Sequence, residues 1–388
     1  MSGTSGTPDR RPPRPADAGP GRLRLRLWPT LLLMAAVVAG TVAAVRAAGP
    51  ARPPAATPQG APATTATTGP ATTGPATTRA GPATTTTAPA GGVPRSAREC
   101  LARPRTIRPD VPATAQYLVD VPVQGATYDL RGVASTAYPG TRYPLVFGKV
   151  RHGKAVHEVS PRLCVVGGEV VGQQSRDLTW QQVKDRHDGD GLRILSADWY
   201  VVDGLRVDNV EDGIAPFGDG FVGRNLYFTY IRDDCIENDA VAGGIVSDSL
   251  FDGCSMGLSA RPSKGFSPQP APPGETFTLD GVLLRLQPMP REERHETPDG
   301  LGNGQLFKWS RWSNRLVVRN TVFLVERVSM NGRKAMRFPD GTVARNVTLV
   351  WTGPGDYPAP VPRGVRVVKD RKVWEAARRD WLARHGYG

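Results

Sequence analysis

Five histidines and four cysteines in 388 residues leave little room for several common chemistries. No C-x-x-C pair or His-rich cluster gives metal-ligand spacing, so neither zinc nor another metal is expected. His152, His157, His187 and His295 show no pairing with a Ser or Cys nucleophile, so no nucleophile–base pair is indicated. Nothing calls for a cofactor. The net charge of +13 misleads as a clue to partners, because residues 1–94 carry nine Arg against Asp9 and Asp17. That surplus of +7 leaves +6 for residues 95–388, most of it after Pro362. The middle of the chain is near neutral, and a nucleic-acid partner is not expected.

Long apolar runs are scarce. One of them, Trp28 to Val45, holds 18 residues without a charge, enough to cross a bilayer as a helix. The Arg-rich residues 1–27 before it read as a cytoplasmic tail, with residues 28–48 as a retained signal anchor and an exported remainder. That places the protein in the cell membrane as a single-pass chain with its C-terminal part outside. A cleaved signal peptide is the alternative, since Ala43, Ala44, Ala47 and Ala48 end the run, but no strong A-x-A site is present. Residues 49–94 are almost wholly Pro, Ala, Thr and Gly. They cannot bury enough apolar surface to fold, so a disordered tether is expected.

What the chain does have is a ladder. Val201-Val202-Asp203-Gly204-Leu205-Arg206-Val207, Val222-Gly223-Arg224-Asn225-Leu226-Tyr227-Phe228 and Val246-Ser247-Asp248-Ser249-Leu250-Phe251 share one pattern. Anchored on leucine, Leu205, Leu226 and Leu250 lie 21 and 24 residues apart, and weaker copies follow at Val282, Val322 and Val347. Short β-branched strands with Asn, Asp and Gly turns at that period indicate a solenoid. The expected fold is an all-β, right-handed parallel β-helix over residues 161–362, with residues 95–160 as an N-terminal cap and first strands. Residues 363–388 form a basic C-terminal segment. Within it Val373, Trp374, Ala377, Trp381 and Leu382 recur at helical spacing, which predicts an amphipathic helix that caps an open edge. Long excursions are expected at Gln173 to Asp190, Pro262 to Glu275 and Gln287 to Gln305, where solenoid loops tend to line one face.

A solenoid stacks equivalent positions, so a motif repeated once per coil becomes a cluster in space. Asp212 lies seven positions after Leu205, and Asp233 seven after Leu226, with Asp234 next to it. The spacing predicts that Asp212 and Asp233 are lateral neighbours. Carboxylates so close cannot all ionise cheaply, and the resulting split in pKa suits acid–base work on a glycosidic bond. Glu211, Glu237 and Asp239 add acidic groups nearby, Glu237 being a candidate substrate contact. Asp at a solenoid corner can also serve only to cap backbone N–H groups. Arg261, Lys264, Lys308 and Arg311 are candidate substrate-binding cations, and one of them could be the base of a lyase or epimerase. Four cysteines in an exported domain allow three pairings, and proximity favours Cys100–Cys164 and Cys235–Cys254, with a buried free thiol at Cys235 as the alternative.

Glu211-Asp212-Gly213-Ile214, one coil before Arg232-Asp233-Asp234-Cys235-Ile236, resembles the paired N-T-D-G and D-D-C signatures of the polygalacturonases. Met256-Gly257-Leu258-Ser259 is similar to their G-H-G-[LI]-S segment. The resemblance implies a pectin-lyase-like right-handed β-helix and inverting hydrolysis, with Asp212, Asp233 and Asp234 on the catalytic carboxylates. It also makes Cys235–Cys254 similar to a family disulfide. Met256 stands where the family has His, and Arg261 and Lys264 come too early for its Arg-x-Lys. The expected function is therefore binding or cleavage of an acidic or cell-wall polysaccharide, glycoside hydrolase first and lyase or C5-epimerase second. A non-catalytic glycan-binding or envelope-scaffold role, or an adhesin, is the alternative from another class.

Overall fold

A computed structural model describes residues 93–387 except 115, 138–142, 152–153, 157–161, 187–188, 196–198, 218–219, 263–270, 272–273 and 293–296. The expected anchor at 28–48 and nearly all of the tether lie outside these residues. Among the described residues no helix is long and apolar enough to cross a membrane.

Two parallel sheets run the length of the described chain, one of nine strands and one of fourteen. Each coil contributes to both, and every neighbour within a sheet is parallel, which makes the fold a parallel β-helix. In the central coil Tyr200–Asp203 pairs with Leu163–Val166 before it and Phe221–Arg224 after it. The ladder begins ahead of residue 161, since Thr106–Ile107 already pairs with Thr127–Asp129, and Tyr117–Val119 with Leu145–Phe147.

Alternation decides which side chains go inside. Val207, Phe228, Phe251, Leu284 and Phe323 fall in one register column and are all buried. Phe228 and Phe251 stack with centroids 4.9 Å apart. Between the two sheets each coil turns through a residue with left-handed φ: Gly167, Gly204, Asn225, Asp248, Gly281, Asn320 and Asn346. Only Gly, Asn and Asp enter that region readily. The side chains also bond along the ladder, Asn225 Nδ2 donating to Asp203 Oδ1 (2.6 Å) and Asn346 Nδ2 to Asn320 Oδ1 (3.0 Å).

The residue after each turn faces the core, and this column corrects the leucine anchoring. It reads Leu205, Leu226, Ser249, Val282, Thr321 and Val347, so Leu250 and Val322 sit one position out of line. Ser249 and Thr321 are tolerated inside because each hydroxyl accepts from a backbone N–H and donates back to a carbonyl. Ser249 Oγ takes Leu226 N–H and gives to Ser247 O. Thr321 Oγ1 takes Val282 N–H and gives to Arg319 O.

Among the described residues three α-helices accompany the coils: α1 (Ala97–Leu101), α2 (Trp180–Asp185) and α3 (Lys372–Arg384). A capping box closes the start of α2, with Thr179 and Gln182 exchanging hydrogen bonds. The capping role expected for α3 is not what the structure has. Trp374 and Trp381 lie with Leu250, Leu283, Leu324 and Val350 on the outer face of the larger sheet. Each of those four sits on a different coil, so α3 runs along the flank. The apolar stripe on that sheet face draws it there, and among the described residues no strand pairs with the last one, Val365–Val368, beyond its partner Val347–Trp351. Glu375 in the first turn of α3 pairs with Arg371 (3.3 Å), the N-cap residue just before the helix.

Disulfides join Cys100 to Cys164 and Cys235 to Cys254, and no described cysteine is free. The first ties α1 to the coils, and the second links adjacent coils directly behind the acidic residues.

Candidate active site

Where the second sheet bends, four coils repeat one short phrase: Asp190-Gly191-Leu192, Asp212-Gly213-Ile214, Asp234-Cys235-Ile236 and Met256-Gly257-Leu258. The spacing is 22 residues each time. The pairings Leu192 with Ile214, Ile214 with Ile236, and Ile236 with Leu258 put the phrases in register. Asp190, Asp212 and Asp234 therefore stack as a column of carboxylates. The expected neighbours Asp212 and Asp233 are replaced by Asp212 and Asp234, because the offset between these coils changes from 21 residues at Arg206/Tyr227 to 22 at Ile214/Ile236. The extra residue falls in the segment containing Tyr230, whose φ of 53° marks the irregularity. Asp234 N–H donates to Asp212 Oδ1 (2.9 Å), fixing the pair.

Asp233 still joins the group. Carboxylate oxygens of Asp212, Asp233 and Asp234 lie within 4.8 Å of one another, and a second set, Asp190, Asp212 and Glu237, shares Asp212. Sequence spacing named no metal ligands here. The structure gathers two overlapping sets of hard oxygen donors, the kind that suits Ca²⁺ or Mg²⁺. Asp233 Oδ1 and Asp234 Oδ1 are buried and accept no hydrogen bond.

Two cations face the cluster. Lys308, in the strand Phe307–Trp309, lies in register with Ser259 and, through it, with Glu237. Its Nζ reaches back to Asp234 Oδ2 at 2.5 Å, with 16% of the side chain exposed. Arg291 comes from the excursion after Leu286, is buried, and donates to Ser255 Oγ. Its Nε has no hydrogen-bond partner. A third cation, Arg193, bonds Asp190 and lies 3.5 Å from Glu237.

Burial raises the pKa of Asp212 well above the carboxylate range, and Glu237, Asp233, Glu211 and Asp234 add to it. Burial also lifts Glu237 far up, with Asp190 and Asp239 adding and Arg193 opposing. Asp234 is pushed up by burial, pulled down by Lys308 and pushed up again by Asp233, ending at about 7. For Lys308 burial favours the neutral amine, but Asp234 and Asp233 outweigh it and the pKa is raised. Burial lowers Arg291, with Asp233 partly offsetting.

Arg261 is exposed, and Arg311 is exposed with its guanidinium 4.5 Å from the Trp312 ring centre. Lys264 lies outside the described residues. Sequence reasoning missed Asp190 and Arg291. The exact period of the Asp-Gly-Leu phrase could have found the first. Nothing local signals the second, because its excursion folds back over the coils. That excursion meets another there: Gln181 N–H in α2 donates to Glu292, and Arg291 lies 5.9 Å from the Trp180 ring.

No family model matches this chain, and no curated protein does. Among solved structures it is similar to pectate lyase Pel9A, at 13% identity and a TM-score of 0.33, over 68% of this chain and 64% of that one. A likeness that distant carries no argument about activity.

Proposed function

We propose that this protein acts on a uronate-containing polysaccharide by β-elimination. The observation that carries the reading is a nearly buried lysine, Lys308, held against a stack of carboxylates with unpartnered oxygens. Elimination needs a base for the C5 proton and positive charge to stabilise the enolate that forms at the adjacent carboxylate. Lys308 is the base, with Asp212, Asp233 and Asp234 as ligands for a divalent cation that would neutralise the substrate carboxylate. At rest Asp234 keeps Lys308 protonated. With Asp234 engaged as a ligand, Lys308 would be held less firmly in its protonated form and would be available as a neutral amine. Lys308 as the neutral amine then takes the C5 proton, the C5–H electron pair forms the C4–C5 double bond, and the C4–oxygen bond breaks, the departing oxygen taking a proton from solvent water.

Inverting hydrolysis is the second reading, favoured by Asp234, whose pKa of about 7 leaves a carboxylic acid available near neutrality. Against it, the 4.8 Å cluster is tighter than the roughly 6.5–9.5 Å separation that leaves room for an attacking water.

The test is an assay of the full chain on polygalacturonate with and without added Ca²⁺, following both ultraviolet absorbance of unsaturated product and new reducing ends. Elimination predicts both signals, Ca²⁺ dependence, activity rising toward alkaline pH, and a loss of roughly 10²–10⁴-fold in Lys308→Ala. Reducing ends without absorbance would replace elimination by hydrolysis. Silence on every uronate polymer from the folded protein would return the cluster to a structural or binding role.

A further inference from the structure

We infer that a cavity of about 610 Å³ near the C-terminal end of the coils is a second saccharide subsite, selective for an acidic sugar. It is walled by Tyr357, Pro358 and Pro360, with Arg333 and Asp356 also lining it and Trp351 fully buried behind them. The identity of its occupant rests on the proposed function; the cavity does not.

Its walls are held in place before any ligand arrives. Tyr357 Oη donates to Met336 O (2.5 Å), Trp351 Nε1 to Gly355 O (3.1 Å), and Lys369 Nζ to the carbonyls of Gly353 and Gly355. Prolines at 354, 358 and 360 stiffen the same loop. A site that needs no ordering on binding is a favourable one. Flat apolar walls beside a charged side chain suit a pyranose ring, which has an apolar face and a polar rim. Arg333 supplies the positive charge of the lining, and Asp356 an acceptor for a sugar hydroxyl. Arg333 is exposed and has no ion-pair partner among the described residues, so its planar fork is open to a carboxylate.

Position gives the second argument. The 3-10 helix Arg333–Met336 belongs to the coil after the one carrying Lys308. The two are packed together, with the Phe307 and Phe338 rings 5.1 Å apart and Met336 buried beside them. Met330 N–H also donates to Asn303 O in the excursion that carries Arg291. Trp351 and the 354–360 loop belong to the next coil on. At roughly 4.8 Å per coil, the cavity follows the Lys308 coil by about 5–10 Å along the axis. A polymer running along the solenoid from the carboxylate cluster would meet it.

The test measures binding of a galacturonate oligomer series, and of the same oligomers with reduced, neutral carboxyl groups, to the full chain carrying Lys308→Ala to prevent cleavage. Arg333→Ala and Arg333→Glu are then added; both change an exposed side chain and should fold. The acidic oligomers long enough to span both sites should bind roughly tenfold or more weakly in Arg333→Ala and more weakly still in Arg333→Glu. Neutral oligomers should bind poorly and ignore both changes. Equal affinity across the Arg333 variants, or equal binding of neutral and acidic oligomers, would overturn the subsite. If cleavage of polygalacturonate fails while Arg333-dependent binding persists, the proposed reaction falls and the subsite stands. If cleavage occurs but binding is indifferent to Arg333, the subsite falls and the reaction stands.

Discussion

Asp234 couples the candidate site to the stability of the fold. Its carboxyl titrates at about 7 in the folded protein, against roughly 3.9 in an unfolded chain. Between those values the folded state holds a proton that the unfolded state has released, so stability falls as pH rises through this window and levels off above it. At about 1.4 kcal/mol per unit the effect is up to about 4 kcal/mol. Asp212 and Glu237, also raised, act in the same direction. Lys308 does not enter the window. Its raised folded pKa gives stability that is complete below the unfolded value of roughly 10.4 and is lost only above it. Urea midpoints should therefore be higher at pH 5 than at pH 8, and Asp234→Asn should flatten the difference. A midpoint that climbs from pH 5 to pH 8 in the unaltered protein would contradict the buried proton. These residues are partly legible in the sequence. Asp212, Asp233 and Asp234 stand out as acidic residues near a repeat, but their pairing depends on the irregularity around Tyr230, which pattern alone does not reveal. Lys308 is one of four candidate cations, and only the return of its strand beside the strand Leu250–Ala260 separates it from Arg261 and Arg311.

At the level of the element, the turn column explains both what could be read and what slipped. Gly204, Asn225, Asp248, Gly281, Asn320 and Asn346 share a left-handed backbone that few residue types adopt, so they mark the repeat more faithfully than the apolar residues beside them. Leucine anchoring fails at Ser249 and Thr321, where a self-satisfied hydroxyl replaces an aliphatic side chain. Ser249→Ala would leave the buried Leu226 N–H without its acceptor, a cost of about 1–3 kcal/mol that urea denaturation should show. Ser249→Val, closer to the aliphatic consensus, should not recover it, since the missing acceptor is the cause. Recovery by valine would mean that packing dominates there. The helix α2 is readable from its cap, whereas the placement of α3 is not. Helical spacing identifies an apolar face, but which surface receives it is decided by Leu250, Leu283, Leu324 and Val350 on four separate strands.

For the molecule as a whole, the parallel solenoid is visible in the period and turn chemistry. Its ladder begins at Thr106 because the earlier strands are short and separated by irregular loops that hide the repeat. Both disulfides follow from proximity. The route of α3 has a consequence for how the protein comes apart. A solenoid whose coils touch only their neighbours unfolds piecemeal, because its energy is a sum of local terms and its ends can fray independently. Here one helix is fastened to several coils at once, through the Trp374 and Trp381 cluster, through Arg378 to Asp252 (2.5 Å) and through Arg371 to Glu326 (2.5 Å). Peeling the last coil therefore strains contacts with coils well inside the array. Trp381→Ala, which costs about 3–5 kcal/mol at a fully buried site, should do more than lower the midpoint. Amide hydrogen exchange, which should report one shared opening for the coils beneath α3, should split into separate openings that begin at the C-terminal end. The helix should make the coils it spans, within a one-dimensional stack, open as one cooperative unit.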